Sequence, residues 1–210
     1  MSIKYAYLGP AGTFTEAALQ KIATQGDKLI AYANVTAALD AVRNGECQKA
    51  LVPIENSVEG VVARTLDELA SGEPLVITQE VTLPVSFALL TLPATDPKNI
   101  KSIATHPHAE SQCRSFIAKN YPTAQIIETP STAAAAKGLA NKDYEAAIAG
   151  VNAAKNYNLK IINEDIGDNQ AAVTRFVVVE KAGRQAGATG KDRTSLAVFI
   201  AIDHAGALLE

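Results

Sequence analysis

A chain of 210 residues, 48% hydrophobic and 20% charged, suits one large globular domain or two small lobes and excludes a disordered or fibrous protein. A net charge of −3 provides no basic footprint for nucleic acid, although single arginines and helix ends can still hold a small anion. No apolar run approaches the ~20 residues that cross a bilayer, and no signal-like segment follows Met1, so the expectation is a cytoplasmic protein with no membrane partner.

Taken in order, residues 3–8 predict a strand, Gly9-Pro10-Ala11-Gly12 a turn, and 13–23 a helix. Backbone N–H groups at a strand–turn–helix junction favour anions, which makes Ala11, Gly12 and Thr13 candidate ligand contacts. GPAGTFTE lacks the Lys of a P-loop and the third Gly of a dinucleotide fingerprint, so nucleotide binding is not expected. Thr13 or Thr15 also reads as a plain N-cap, with Glu16 in the first turn. Residues 28–33 predict a second strand and Val35–Arg43 a helix ended by Asn44-Gly45. A third strand, 50–52, runs into Pro53-Ile54-Glu55-Asn56-Ser57, placing a carboxylate, an amide and a hydroxyl at a strand's carboxyl end. Open α/β sheets bind ligands at that edge, and Asn56 and Ser57 are the better placed. Glu55 reads equally as an acceptor for loop N–H groups.

A helix over 61–70 precedes a long β-rich passage, 75–90, interrupted at Pro84. The opening pattern then recurs: strand 100–104, turn Thr105-His106-Pro107-His108, helix 109–119, strand 125–127, helix 132–140 capped by Ser131, and strand Ala146–Ala149. The two copies align without gaps at a spacing of 96 residues, which sets Thr36-Ala37-Ala38 on Thr132-Ala133-Ala134, Ala50 on Ala146 and Asn56 on Asn152. Alternating strands and helices argue for mainly parallel sheets covered by helices. Cys47 and Cys113 are isolated and read as reduced thiols, not as a disulfide or zinc site.

The stretch NQAAVTRFVVVE, 169–180, predicts a loop that delivers Val173–Phe176 onto a short apolar strand, 177–179, of the kind found inside a covered sheet. Thr174 and Arg175 are expected at its mouth, where a hydroxyl and a guanidinium fork can face one anionic ligand. If the chain crosses near 76–83 and returns through 170–179, it forms two lobes, 1–78 with 173–180 and 79–172, with Thr174 and Arg175 at the edge of the cleft. KAGRQAGATGK, 181–191, reads as a flexible linker, and 194–202 as the first strand of a further domain.

The segments GPAGTFTEAAL, PIENSVEGVVARTLD, HPHAESQC, STAAAAKGLA, AAIAGVNAA and TRF, in this order, resemble the catalytic domain of prephenate dehydratase along nearly all of 3–180. The resemblance implies a two-lobed α/β fold like the type II periplasmic binding proteins. It also implies conversion of prephenate to phenylpyruvate, carbon dioxide and water without a metal or cofactor. Thr174, Arg175 and Phe176 then match the essential TRF, and Asn56 and Ser57 the ENS loop. In that reading Arg175 grips the retained side-chain carboxylate and Thr174 hydrogen-bonds to the leaving hydroxyl. Backbone groups at Ala11, Gly12 and Thr13, with Asn56, Ser57 and Phe176, surround the rest of the substrate. Glu55, His106, His108 and Ser131 are further candidates, and His108 departs from the Gln usual at its position. Residues 192–210 resemble the truncated start of an ACT regulatory domain, with Gly206-Ala207-Leu208 matching its GAL turn. The implied partners are prephenate, further copies of the chain, and phenylalanine as an effector only where the ACT domain is complete. The alternatives are an arogenate dehydratase, or a small-anion binding module of the same fold without catalysis.

Overall fold

Short apolar strands alternating with alanine-rich helices build two sheets in the computed structural model of the chain, which describes residues 2–183, 187–196 and 198. The first unit runs β1 (Lys4–Leu8), α1 (Phe14–Gln20), β2 (Lys28–Tyr32), α2 (Val35–Arg43) and β3 (Lys49–Asn56). Its three strands are parallel, with β1 between β2 and β3. The α2 boundaries follow from local chemistry. Asn34 accepts a 2.8 Å hydrogen bond from the Ala37 N–H as N-cap. Val35, Ala38, Leu39 and Val42 then fall on one helical stripe against Ala6, Ala50 and Val52.

The chain continues through β4 (Gly60–Val61), α3 (Ala63–Ala70), β5 (Leu75–Pro84) and β6 (Ala88–Thr91) into the second unit. That unit is β7 (Ser102–Thr105), α4 (Pro107–Ser111), α5 (Arg114–Asn120), β8 (Gln125–Glu128), α6 (Thr132–Gly138) and β9 (Ala146–Ala149). Its strand order, β8-β7-β9, reproduces β2-β1-β3, so the internal repeat is structural. The helix expected over 109–119 is broken between α4 and α5, where the Gln112 carbonyl accepts the Asp168 N–H instead of a bond from the helix. Two elements not anticipated follow, α7 (Val151–Tyr157) and the edge strand β10 (Lys160–Asn163). The helix α7 begins at Gly150 without a side-chain cap of the kind read at Thr13 and Ser131.

The last strand, β11 (Val173–Lys181), returns the chain to the first sheet. It lies antiparallel between β3 and β5, and β6 lies antiparallel on β9 in the second sheet. Both sheets are therefore mixed rather than mainly parallel, because β11 in the first and β6 in the second run against the strands of the repeat. Residues 79–84, expected in the second lobe, stay in the first, since β5 pairs with β11 as far as Pro84 opposite Val173.

Two further differences concern the site. The stretch 173–176 is strand rather than loop, and β3 extends through Glu55 and Asn56 to meet it. Pro53, which cannot donate to the ladder, sits beside the bulge between Arg175 and Phe176. Of the strand expected at 194–202, residues 194–196 and 198 are exposed without regular structure; the remainder and Gly206-Ala207-Leu208 lie outside the described residues.

Phe176, expected against substrate, is 1% exposed and packs with Tyr5, Tyr7, Leu19, Leu51, Leu83 and Val178. Strand alternation drives it inward beneath α1, so its contribution is packing. Phe176→Ala is expected to lower unfolding free energy by about 3–5 kcal/mol in a denaturant titration, while Phe176→Leu keeps the KM of the parent. A raised KM in the leucine variant with unchanged stability would instead make Phe176 a binding residue.

Candidate active site

The carboxyl ends of β1 and β3, the amino end of β11 and the far end of β5 share one edge of the first sheet. Thr174 faces Asn56 across the β3–β11 ladder and is 8% exposed. The Asn56 Nδ2 donates to Thr174 Oγ1 at 2.7 Å. Asn56 Oδ1 accepts the N–H groups of Val58 and Glu59 at 2.8 and 3.1 Å, which fixes the amide the right way round. With its lone pair engaged by a donor, the Thr174 hydroxyl has its own hydrogen to give. Ser57 locks the same corner: its N–H donates to the Val173 carbonyl and its Oγ accepts the Val173 N–H, both at 2.9 Å.

Arg175 alternates onto the opposite face of the sheet from Thr174. It does not share Thr174's side of the strand, as a loop would have allowed. Its Nε and Nη2 donate to the two oxygens of Glu80 at 2.9 and 3.3 Å, and Nη1 donates to Glu55. Three of the five guanidinium N–H groups thus bind carboxylates of the neighbouring strands. Those bonds, to Glu80 first and Glu55 second, raise the Arg175 pKa still further. Arg175 is a cross-strand clamp over β3, β11 and β5, and Glu55 is one of its partners rather than an acceptor for loop N–H groups.

The turn at 11–13 is also engaged. Gly12 sits at φ +87, and its N–H donates to Glu16 Oε2 at 2.7 Å. The buried Glu16 carboxylate thereby engages the Gly12 N–H that was expected to face a ligand anion, and it accepts from Asn156 Nδ2 of α7 at 2.6 Å. Tyr157 OH donates to the Ala11 carbonyl at 2.5 Å and Asn152 Nδ2 to the Thr13 carbonyl at 3.0 Å. Ala11, Gly12 and Thr13 therefore fasten the lobes together. Thr13 is also the N-cap of α1, as one reading of the sequence had it.

A second bridge between the lobes passes through Glu59. Its Oε1 accepts from Gln112 Nε2 at 3.3 Å, and its Oε2 lies 3.6 Å from His108 Nδ1. His106 caps α4, its Nδ1 accepting the His108 N–H at 3.2 Å, and Ser131 caps α6 through the Ala134 N–H at 3.0 Å. The hydrogen bonds thus bring together Thr174, Asn56, Ser57, Glu59 and Gln112, with His108 within ion-pair distance of Glu59; Ser131, occupied as a cap, is not among them. Glu16, Glu59, Glu80 and Gln112 were not singled out from the sequence. For Gln112 a signal existed, four residues beyond His108 and so on the same side of a helical segment. A surface pocket of about 500 Å³ lies elsewhere, between Pro10 and Lys137, Asn141 and Tyr157, and neither Thr174 nor Asn56 lines it.

Two repeated α/β units with a crossing strand in each, and polar side chains gathered where they meet, define a two-lobed α/β cleft protein. The prephenate dehydratase family model matches residues 5–184, and the chain belongs to that family of hydro-lyases. It is 42% identical over 208 residues to the prephenate dehydratase of Amycolatopsis methanolica, covering 99% of this chain and 67% of that one. The corresponding enzyme of Mycolicibacterium vanbaalenii is 40% identical over 205 residues, 91% of this chain and 66% of its own length. Among solved structures, the prephenate dehydratase of Arthrobacter aurescens in complex with L-Phe superposes with a TM-score of 0.91 at 45% identity, covering 99% of this chain and 69% of that one. The chain thus spans about two thirds of the length of these relatives. Among the described residues no helix is long and apolar enough to cross a membrane.

Burial first, and the neighbouring His108 second, hold the His106 imidazole below its ordinary pKa. A depressed histidine stabilises the fold above its unfolded pKa of about 6.5, and that stability is lost as pH falls from there through the folded value. Thermal unfolding between pH 7 and 5 is therefore expected to show an acid-side loss that His106→Asn, which keeps a capping acceptor, removes. An unchanged pH profile in that variant would contradict the assignment.

Proposed function

We propose that the chain catalyses the decarboxylating dehydration of prephenate to phenylpyruvate, with Thr174 at the departing hydroxyl. In this reaction the bond from the ring to its carboxylate breaks and carbon dioxide leaves. The electron pair completes the aromatic ring, the C–OH bond breaks, and hydroxide departs to take a proton from solvent. Aromatisation drives the process, and an enzyme gains rate only from contacts that strengthen as hydroxide leaves.

The observation that carries this reading is the direction of the Asn56–Thr174 hydrogen bond. Because Thr174 Oγ1 accepts from Asn56, its hydrogen is available to the leaving oxygen, whose negative charge grows in the transition state. A threonine hydroxyl is too weak an acid to give up its proton fully at neutral pH, so it polarises the departing group. His108 and Gln112 supply the second half of the proposal. Each already meets one oxygen of the Glu59 carboxylate, and the pair suits the retained side-chain carboxylate of prephenate once Glu59 moves aside. Arg175 acts through Glu55 and Glu80 as a positioning residue, holding β11 so that Thr174 and Asn56 stay in register. This departs from the direct carboxylate grip expected from the sequence, because its fork is engaged within the sheet.

Steady-state kinetics on prephenate, with arogenate alongside, test the proposal. Thr174→Ala is expected to lose at least ~100-fold in kcat with KM little changed, the size of a lost transition-state donor. Arg175→Lys is expected to lower kcat by roughly tenfold, again with KM retained, since an ammonium cannot hold both carboxylates. A Thr174→Ala defect confined to KM would make Thr174 a binding residue, and an Arg175→Lys defect confined to KM would restore the direct grip.

A further inference from the structure

Beyond the residues matched by the family, one side chain reaches back to the β11 clamp. Arg193 Nη1 donates to both oxygens of Glu80, each at 3.2 Å, although its side chain is 74% exposed. Glu80 is the same carboxylate that receives Nε and Nη2 of Arg175. Arg175 and Glu55 in turn directly neighbour Thr174 and Asn56 along their strands. We propose that Arg193 is a positioning residue for the dehydratase site, acting through Glu80 on the Arg175 clamp, so that the segment after β11 is part of the active machinery. The inference rests on the reading of Thr174 and Asn56 given above.

The charge balance gives the contact its purpose. Glu55 and Glu80 around Arg175 alone form a cluster with one excess negative charge, beside a site that must admit a dianion. Arg193 brings the cluster to neutrality. It also shares the Glu80 oxygens, so the strength with which Glu80 holds Arg175 depends on where Arg193 lies. The Glu80 carboxyl stands below its ordinary pKa through its bonds to Arg175 first and the charge of Arg193 later. Glu80 therefore remains charged across the neutral range.

An exposed ion pair has a modest effect that salt screens. Arg193→Ala is expected to lower kcat/KM on prephenate by roughly threefold at low ionic strength, with the melting temperature unchanged. The deficit shrinks toward zero near 1 M salt, and Arg193→Lys recovers most of it. In a Glu80→Gln background, Arg193→Ala has no further effect. Wild-type kcat/KM in Arg193→Ala at low salt, or a deficit that persists undiminished beside Glu80→Gln, overturns the inference. Thr174→Ala measured in parallel separates the two levels. An inactive Thr174→Ala with a wild-type Arg193→Ala defeats only the role of Arg193. A wild-type rate in Thr174→Ala defeats the site on which that role depends.

Discussion

The hydrogen bond from Asn56 to Thr174 joins residues 118 positions apart and sets the polarity of the whole site. It exists because β11 crosses back from the second lobe and is laid antiparallel on β3. An amide whose oxygen is held by two backbone N–H groups can only donate on its other side, and a hydroxyl that accepts there is left as a donor. That pairing sets Arg175 against Glu55 on the reverse face, and the pairing of β11 with β5 adds Glu80. One strand placement thus sets both the donor direction of the Thr174 hydroxyl and the Arg175 clamp beside it.

Among the described residues, two sets of side-chain contacts join the lobes. One is rigid in character, made by a buried carboxylate, Glu16, with Gly12 and Asn156, and by Asn152 and Tyr157 on the carbonyls of the 11–13 turn. Phe14 and Phe87 add an edge-to-face contact, their centroids 5.6 Å apart. The other is exposed and longer, Glu59 against Gln112 and His108. A buried, short-bonded joint costs far more to open than an exposed one. The Glu59 contacts are therefore the weaker of the two joints.

Much of this was legible in the sequence where local chemistry decides structure. Val35–Arg43 carries its own cap and stripe, and the repeat reveals itself because both copies need the same alternation of elements. Asn56, Ser57 and Thr174 were singled out; a hydrogen bond joins Asn56 to Thr174, and Ser57 bonds the backbone of Val173, the residue before Thr174. What could not be read locally was pairing. Thr174 and Arg175 look alike as loop residues, and only the ladder reveals that alternate faces separate them. Glu80 was unremarkable in a polar strand until Arg175 came to lie beside it. Glu16 resembled an ordinary first-turn acid because its partner, Asn156, lies 140 residues away in a helix that the sequence did not announce.

The most direct test of the account is a double-mutant cycle between Asn56 and Thr174, read as kcat on prephenate. If Asn56 serves the reaction by orienting the Thr174 hydroxyl, Asn56→Ala is damaging alone, yet adds almost nothing once Thr174 is alanine. If the two losses multiply, the residues act independently, and the hydrogen bond between them is not what prepares the site.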